Sequence, residues 1–178
     1  MTAVLDAPKV GRLIDQIELG LDAPICLTLE LTYACNLACV HCLSSSGKRD
    51  PRELDTAQCK AVIDELQRMQ VFYVNIGGGE PTVRSDFWEL VDYATAHQVC
   101  VKFSTNGVKI DEAVAARLAT SDYVDVQISL DGATAEVNDA VRAPVPSTWP
   151  AGAAELGRRG VRRREDLGGV HPAQPEPA

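Results

Sequence analysis

What this chain lacks narrows its function first. It has no excess of basic residues: 17 Lys and Arg stand against 25 Asp and Glu, for a formal charge of -8. A nucleic-acid footprint needs a clustered basic face, so small molecules or a protein are the expected partners. No apolar run approaches the roughly 18 residues of a membrane-spanning helix. The opening stretch MTAVLDAPKVGRLIDQ has no basic start, no long apolar run and no small-residue cleavage site of a secretory signal, which points to a cytoplasmic protein. In that reducing compartment six cysteines read as metal or redox sites before they read as disulfides. Residues 143–178 lack Ile, Phe, Tyr, Lys, Asn and Cys altogether, yet hold six of the ten prolines, five glycines and five arginines. Such a tail offers little to a core and is expected to be disordered. Codon degeneracy also permits a reading frame shifted back by one nucleotide after Arg142, giving a more protein-like continuation that begins Gly-Ala-Gly-Ser-Phe. The expectation is a frameshifted tail on a truncated chain.

The rest reads as folded protein. A chain of 178 residues, 46% of them apolar, is long enough for one domain with a core. Residues 1–24 carry one amphipathic pattern at Val10, Leu13, Ile14 and Ile17 and stop at Pro24, as an N-terminal arm or helix would. Then ICLTLELT, β-branched and apolar, precedes LDTAQCKAVIDELQRMQ, whose apolar residues at Cys59, Val62, Ile63, Leu66 and Met69 have helical spacing. The alternation recurs three times. VFYVNI precedes SDFWELVDYATAHQ, with Ser85 or Asp86 as the cap and a stripe of Phe87, Leu90, Val91 and Ala94; VCVKFSTNG precedes DEAVAARLATS; YVDVQISLDG precedes ATAEVNDAVR. Short strands alternating with helices predict right-handed βαβ crossovers, hence an α/β protein with a parallel sheet of about four strand-helix units over 25–142.

Thr32 to Cys42, TYACNLACVHC, concentrates the chemistry. Thiolates at Cys35, Cys39 and Cys42, spaced four and three apart in one loop, can wrap three corners of a cubane iron-sulfur cluster and leave the fourth iron open. The alternative is a zinc site completed by His41, Cys26 or Cys59, although structural zinc usually takes two separated ligand pairs. Three more motifs follow strands. GGGEP, Gly77 to Pro81, lets backbone approach a ligand closely, and Glu80 can accept hydrogen bonds from an ammonium. No GK[ST] follows it, so it is not a phosphate-binding P-loop. STNG (Ser104 to Gly107) and SLDG (Ser129 to Gly132) close the third and fourth strands. Each is a plain turn in isolation. Their shared place at strand C-terminal ends is where parallel α/β proteins gather ligands.

These four motifs, in this order, resemble those of the radical S-adenosylmethionine (radical SAM) enzymes, and most of all the peptide-modifying branch that carries a C-terminal SPASM region with auxiliary clusters. The resemblance covers about residues 20–142. It implies a partial parallel (β/α) barrel in which Cys35, Cys39 and Cys42 hold a [4Fe-4S] cluster whose open iron binds the amino and carboxylate groups of SAM. Gly78, Gly79 and Glu80 would meet the methionine ammonium, with Asn106 in the neighbouring strand-end motif. Ser129 would meet the ribose or carboxylate, Arg142 the carboxylate, and His41 would lie near the adenine. The implied activity is reductive cleavage of SAM to a 5'-deoxyadenosyl radical that modifies a small ribosomal precursor peptide, decarboxylating and cross-linking a C-terminal Val-Tyr. The implied partners are that peptide, a peptide-binding chaperone and a low-potential electron donor. With four of the usual six units, the expectation is an open sheet edge and a poorly stable product. The alternative is a non-catalytic remnant that binds a cluster, zinc or a partner protein only.

Outside the motifs, Cys26 and Cys100 in strands and Cys59 on a helix stripe are expected to be buried small hydrophobes. Phe87 and Trp88 are expected in the core. His97 is expected at a helix end, where its charge suits the dipole.

Overall fold

The apolar run CLTLELT forms the first strand, β1 (Cys26–Thr32). In the computed structural model, which describes residues 23–142, it is followed by α1 (Thr56–Arg68), β2 (Tyr73–Gly78), a 3-10 turn (Pro81–Val83), α2 (Phe87–Ala96), β3 (Cys100–Thr105), α3 (Glu112–Ala119), β4 (Val124–Ile128) and α4 (Ala135–Arg142). The strands lie in the order β1-β2-β3-β4, and every pairing is parallel. The four expected strand-helix units are therefore present. The expected tail over 143–178, and all but the last two residues of the arm over 1–24, lie outside the described residues.

Local chemistry sets the helix ends. Asp55 starts α1 with a reciprocal cap: its carboxylate accepts the Gln58 N–H at 2.8 Å, and the Gln58 side chain accepts the Asp55 N–H at 3.0 Å. Asp111 does the same half-task for α3, accepting from Val114 N at 2.9 Å. Asp86 precedes α2, but its side chain makes no capping bond, because Arg84 and Thr56 already hold both of its oxygens.

Alternation along the strands splits the sheet into two unlike faces. Leu29, Leu31, Val74, Ile76, Val101, Phe103 and Val126 pack toward the helices, where Cys59, Ile63, Leu66, Phe87, Leu90 and Val91 meet them. Phe87 and Phe103 are both 0% exposed and meet edge to face at 5.1 Å, an arrangement that adds about 1 kcal/mol beyond area burial. Trp88 leans on both rings from a half-buried position. The opposite face carries Thr28, Glu30, Tyr73, Asn75, Lys102, Ser104, Asp125 and Gln127, and there the Lys102 ammonium lies 3.5 Å from the Asp125 carboxylate. Cys26 and Cys100 also point there. Cys59 is buried as expected, but Cys26 is exposed and Cys100 only half-buried, which corrects the expectation for both. A parallel sheet usually reads apolar on both faces; this one is apolar on the helix side alone. Among the described residues no helix is long and apolar enough to cross a membrane.

One ion pair fastens the layers. The Arg84 guanidinium donates twice to Asp86, at 2.6 and 2.9 Å, and once to the Leu31 carbonyl at 2.9 Å, while the Thr56 hydroxyl donates to Asp86 at 2.6 Å. The side chains are only 8% and 14% exposed. The Arg84 hydrogen bonds hold the Asp86 carboxyl at about 2, below its ordinary 3.8. A carboxyl depressed by folding stabilises the fold above its unfolded value and loses that contribution as pH falls through its folded value. Wild type is therefore expected to exceed Asp86→Asn by about 2 kcal/mol in urea unfolding at pH 5. The gap should close between pH 4 and pH 2; an equal gap at both ends would assign the loss to something other than ionisation.

Candidate cofactor site at the strand ends

β1 delivers the chain into the cysteine loop. A parallel bridge joins Ala34 to Gly47, with Cys35 N–H donating to the Gly47 carbonyl at 3.2 Å and Gly47 N–H to the Tyr33 carbonyl at 2.8 Å. Cys42 N–H turns back to the Cys39 carbonyl at 3.3 Å, and Val40 N–H reaches the Val141 carbonyl, in α4, at 3.0 Å. Cys35, Cys39 and Cys42 are free thiols, each half-buried.

Hydrogen-bond donors already face two of the sulfurs. Leu37 N–H points at Cys35 Sγ from 3.4 Å, Ser46 N–H at Cys42 Sγ from 3.3 Å, and the Ser44 hydroxyl lies 3.7 Å from Cys42 Sγ. Burial pushes the Cys35 thiol up. The Ser46 N–H, helped by Ser44, pulls the Cys42 thiol down. N–H donors aimed at thiolate sulfur are a means by which proteins tune iron-sulfur clusters, so the donor set suits one. Among the described residues no three His, Cys, Asp or Glu side chains converge as a single ion requires.

The glycine motif abuts this loop. β1 and β2 fall out of register between Glu30 and Thr32, where Gly78 takes φ +102. Gly79 N–H donates to the Thr32 carbonyl at 2.6 Å and Glu80 N–H to the Ala34 carbonyl at 2.9 Å. The Glu80 side chain is 1% exposed. Its Oε1 accepts from Thr82 N (3.2 Å), Thr82 Oγ1 (2.5 Å) and Thr105 Oγ1 (2.8 Å), and its Oε2 from Asn106 N (2.7 Å). One carboxylate thus joins the ends of β2 and β3.

Two side-chain bonds complete the assembly. Asn106 Nδ2 donates to Asn36 Oδ1 at 2.8 Å, and the Ser44 hydroxyl donates to the Gly78 carbonyl at 2.9 Å. Ser129 N–H reaches the Thr105 carbonyl at 2.9 Å, which sets SLDG beside STNG. His41 Nε2 lies 3.5 Å from Asp131 Oδ2, and Arg142 donates to the same carboxylate oxygen. The residues singled out from the sequence therefore share one end of the sheet. Asn36, Ser44 and Thr105, which sequence reasoning passed over, tie them together.

The model of the Radical SAM superfamily matches residues 29–176. The chain is 82% identical over 142 residues to the mycofactocin maturase MftC of Mycolicibacterium smegmatis, which is 80% of this chain and 36% of that protein. It is 84% identical over 133 residues to MftC of Mycobacterium tuberculosis, 75% of this chain and 34% of the relative. It thus spans about a third of the length of the curated relatives it matches. The crystal structure of Streptococcus suis SuiB bound to S-adenosylmethionine shares the fold, with a TM-score of 0.68 at 22% identity over 78% of this chain and 32% of that one. The family model, the high identity and the shared fold agree with what the thiol loop and strand-end motifs imply: the chain belongs to the radical SAM superfamily.

Proposed function

We propose that this chain is the cluster- and SAM-holding part of a peptide-modifying radical SAM enzyme of the mycofactocin maturase kind. The observation that carries the reading is the meeting of the cysteine loop with the three strand-end motifs through Gly79, Glu80, Asn106 and Ser129. Cys35, Cys39 and Cys42 would hold a [4Fe-4S] cluster. When bound, such a cluster would supply one electron to the SAM sulfonium, breaking its C5'–S bond to give methionine and a 5'-deoxyadenosyl radical able to take hydrogen from unactivated carbon.

The chain's own groups serve that chemistry by binding and orienting. The Leu37 and Ser46 N–H groups stabilise sulfur in its thiolate form. Gly78 and Gly79, packed without side chains against Thr32 and Ala34, would line the place of the methionine ammonium. Glu80 Oε2 carries one donor and keeps a second lone pair, the acceptor that the ammonium would use. Arg142, steadied through its Nε by Asp131, offers its terminal nitrogens to the methionine carboxylate. Ser129 would meet the ribose or carboxylate, and His41 would lie near the adenine. The substrate would be a small ribosomal precursor peptide with a C-terminal Val-Tyr, presented by a peptide-binding chaperone, with a low-potential donor supplying electrons.

Anaerobic reconstitution of the chain with iron and sulfide tests this. Expected are iron and acid-labile sulfide in similar amounts, absorbance at about 400 nm, and 5'-deoxyadenosine on addition of SAM and dithionite. A colourless, iron-free product would overturn the reading; a loaded cluster without SAM cleavage would favour the binding remnant.

A further inference from the structure

The three thiols lie on a stretch of irregular backbone, and irregular backbone holds a shape only where its two ends are fixed. Both ends of this stretch converge on one side chain that belongs to none of the four motifs. Glu53, two residues ahead of the α1 cap, has a side chain only 3% exposed. Its Oε1 accepts from Tyr33 N at 2.7 Å and Asp50 N at 3.0 Å. Its Oε2 accepts from Arg49 Nε at 3.0 Å, and the Thr32 hydroxyl lies 3.1 Å from both oxygens. Thr32 and Tyr33 lead into the cysteine loop; Arg49 and Asp50 lead out of it.

We propose that Glu53 is a positioning residue that clasps the two ends of the cysteine loop and so presets the three thiols before any ligand arrives. The clasp reaches the cysteines through short relays. Thr32 Oγ1 donates to Glu53 and accepts from Ala34 N at 3.1 Å, next to Cys35. Asp50 N–H, held by Glu53, accompanies a bidentate Arg52–Asp50 pair that stiffens the exit. Burial pushes the Glu53 carboxyl up, but the hydrogen bonds from Tyr33, Asp50, Thr32 and Arg49 outweigh it and leave the carboxyl below its usual range. The residue is not needed to start α1, because Asp55 and Gln58 cap that helix themselves. Its removal should therefore loosen the loop and leave the helix and sheet in place.

The test compares wild type, Glu53→Ala and Glu53→Gln. Glutamine keeps one acceptor but turns an amide donor toward Arg49 or Tyr33, so it should fall between the other two. In the cluster-free chain, amide hydrogen exchange at Tyr33 and Asp50 is expected to rise about tenfold or more in Glu53→Ala, with β2 and β3 amides unchanged. In the reconstituted chain, iron should be lost to a chelator about tenfold faster. Unchanged exchange at Tyr33 and Asp50 would overturn the clasp, as would loss of protection throughout the sheet in both variants. Only the iron arm rests on the cluster assignment above: a wild-type chain that takes up no iron would sink that assignment and leave the exchange arm to judge Glu53 alone.

Discussion

Gly79→Ala is expected to cost about 3 to 5 kcal/mol in stability and to abolish iron uptake. A Cβ at this position would stand 2.2 Å from the Ala34 carbonyl oxygen, 2.8 Å from the Ala34 carbonyl carbon and 3.0 Å from the Tyr33 carbonyl carbon. All three are backbone atoms, so no side chain can rotate away. The strand exit and the cysteine loop must separate, and the bonds from Gly79 N to Thr32 and from Glu80 N to Ala34 break with them. Gly77 supplies the control two residues earlier. Nothing lies within 4 Å of a Cβ there, so Gly77→Ala should be close to neutral. Urea unfolding midpoints measure both, and equal midpoints would mean that close backbone approach at Gly79 carries no energy.

Removal of the Glu80 carboxylate should be comparably severe. Glu80→Ala leaves Thr82 N–H, Asn106 N–H and two threonine hydroxyls facing a cavity, at a cost of about 3 to 5 kcal/mol. Glu80→Gln can keep the three bonds to one oxygen but turns an amide toward Asn106 N–H, donor against donor, and should lose about 2 kcal/mol. Urea unfolding of the cluster-free chain gives the order, and equilibrium SAM binding by the reconstituted chain gives the role. If Glu80→Gln unfolded like wild type while its SAM affinity collapsed, Glu80 would act on the ligand alone and not as a tie between strand ends.

The elements were legible because each is written locally. Ile63 and Leu66 keep helical spacing, Val101 and Phe103 keep strand alternation, and the strand-end motifs are contiguous letters. What escaped was the second face of the sheet. Cys26 and Cys100 look apolar by residue type, but the alternation that turns Leu27 and Val101 toward the helices turns these cysteines to the other side, among Thr28, Asn75 and Lys102. Asp86 reads as a helix cap until Arg84, two residues away, claims it. The site was legible in its parts and not in its joints. Asn36–Asn106, Ser44–Gly78 and Tyr33–Glu53 are pairs far apart in the chain, brought into contact by the fold, and no local pattern announces them.

The hydrogen bond from Val40 to the carbonyl of Val141 sets an order of events. The cysteine-bearing segment leaves the ribosome early, but the group that receives its Val40 amide is among the last of the described residues to emerge. Until then the loop, though closed at its base by Glu53, is not seated against the fourth helix, so loading of the proposed cluster site would follow translation of that helix and not accompany synthesis of the first strands.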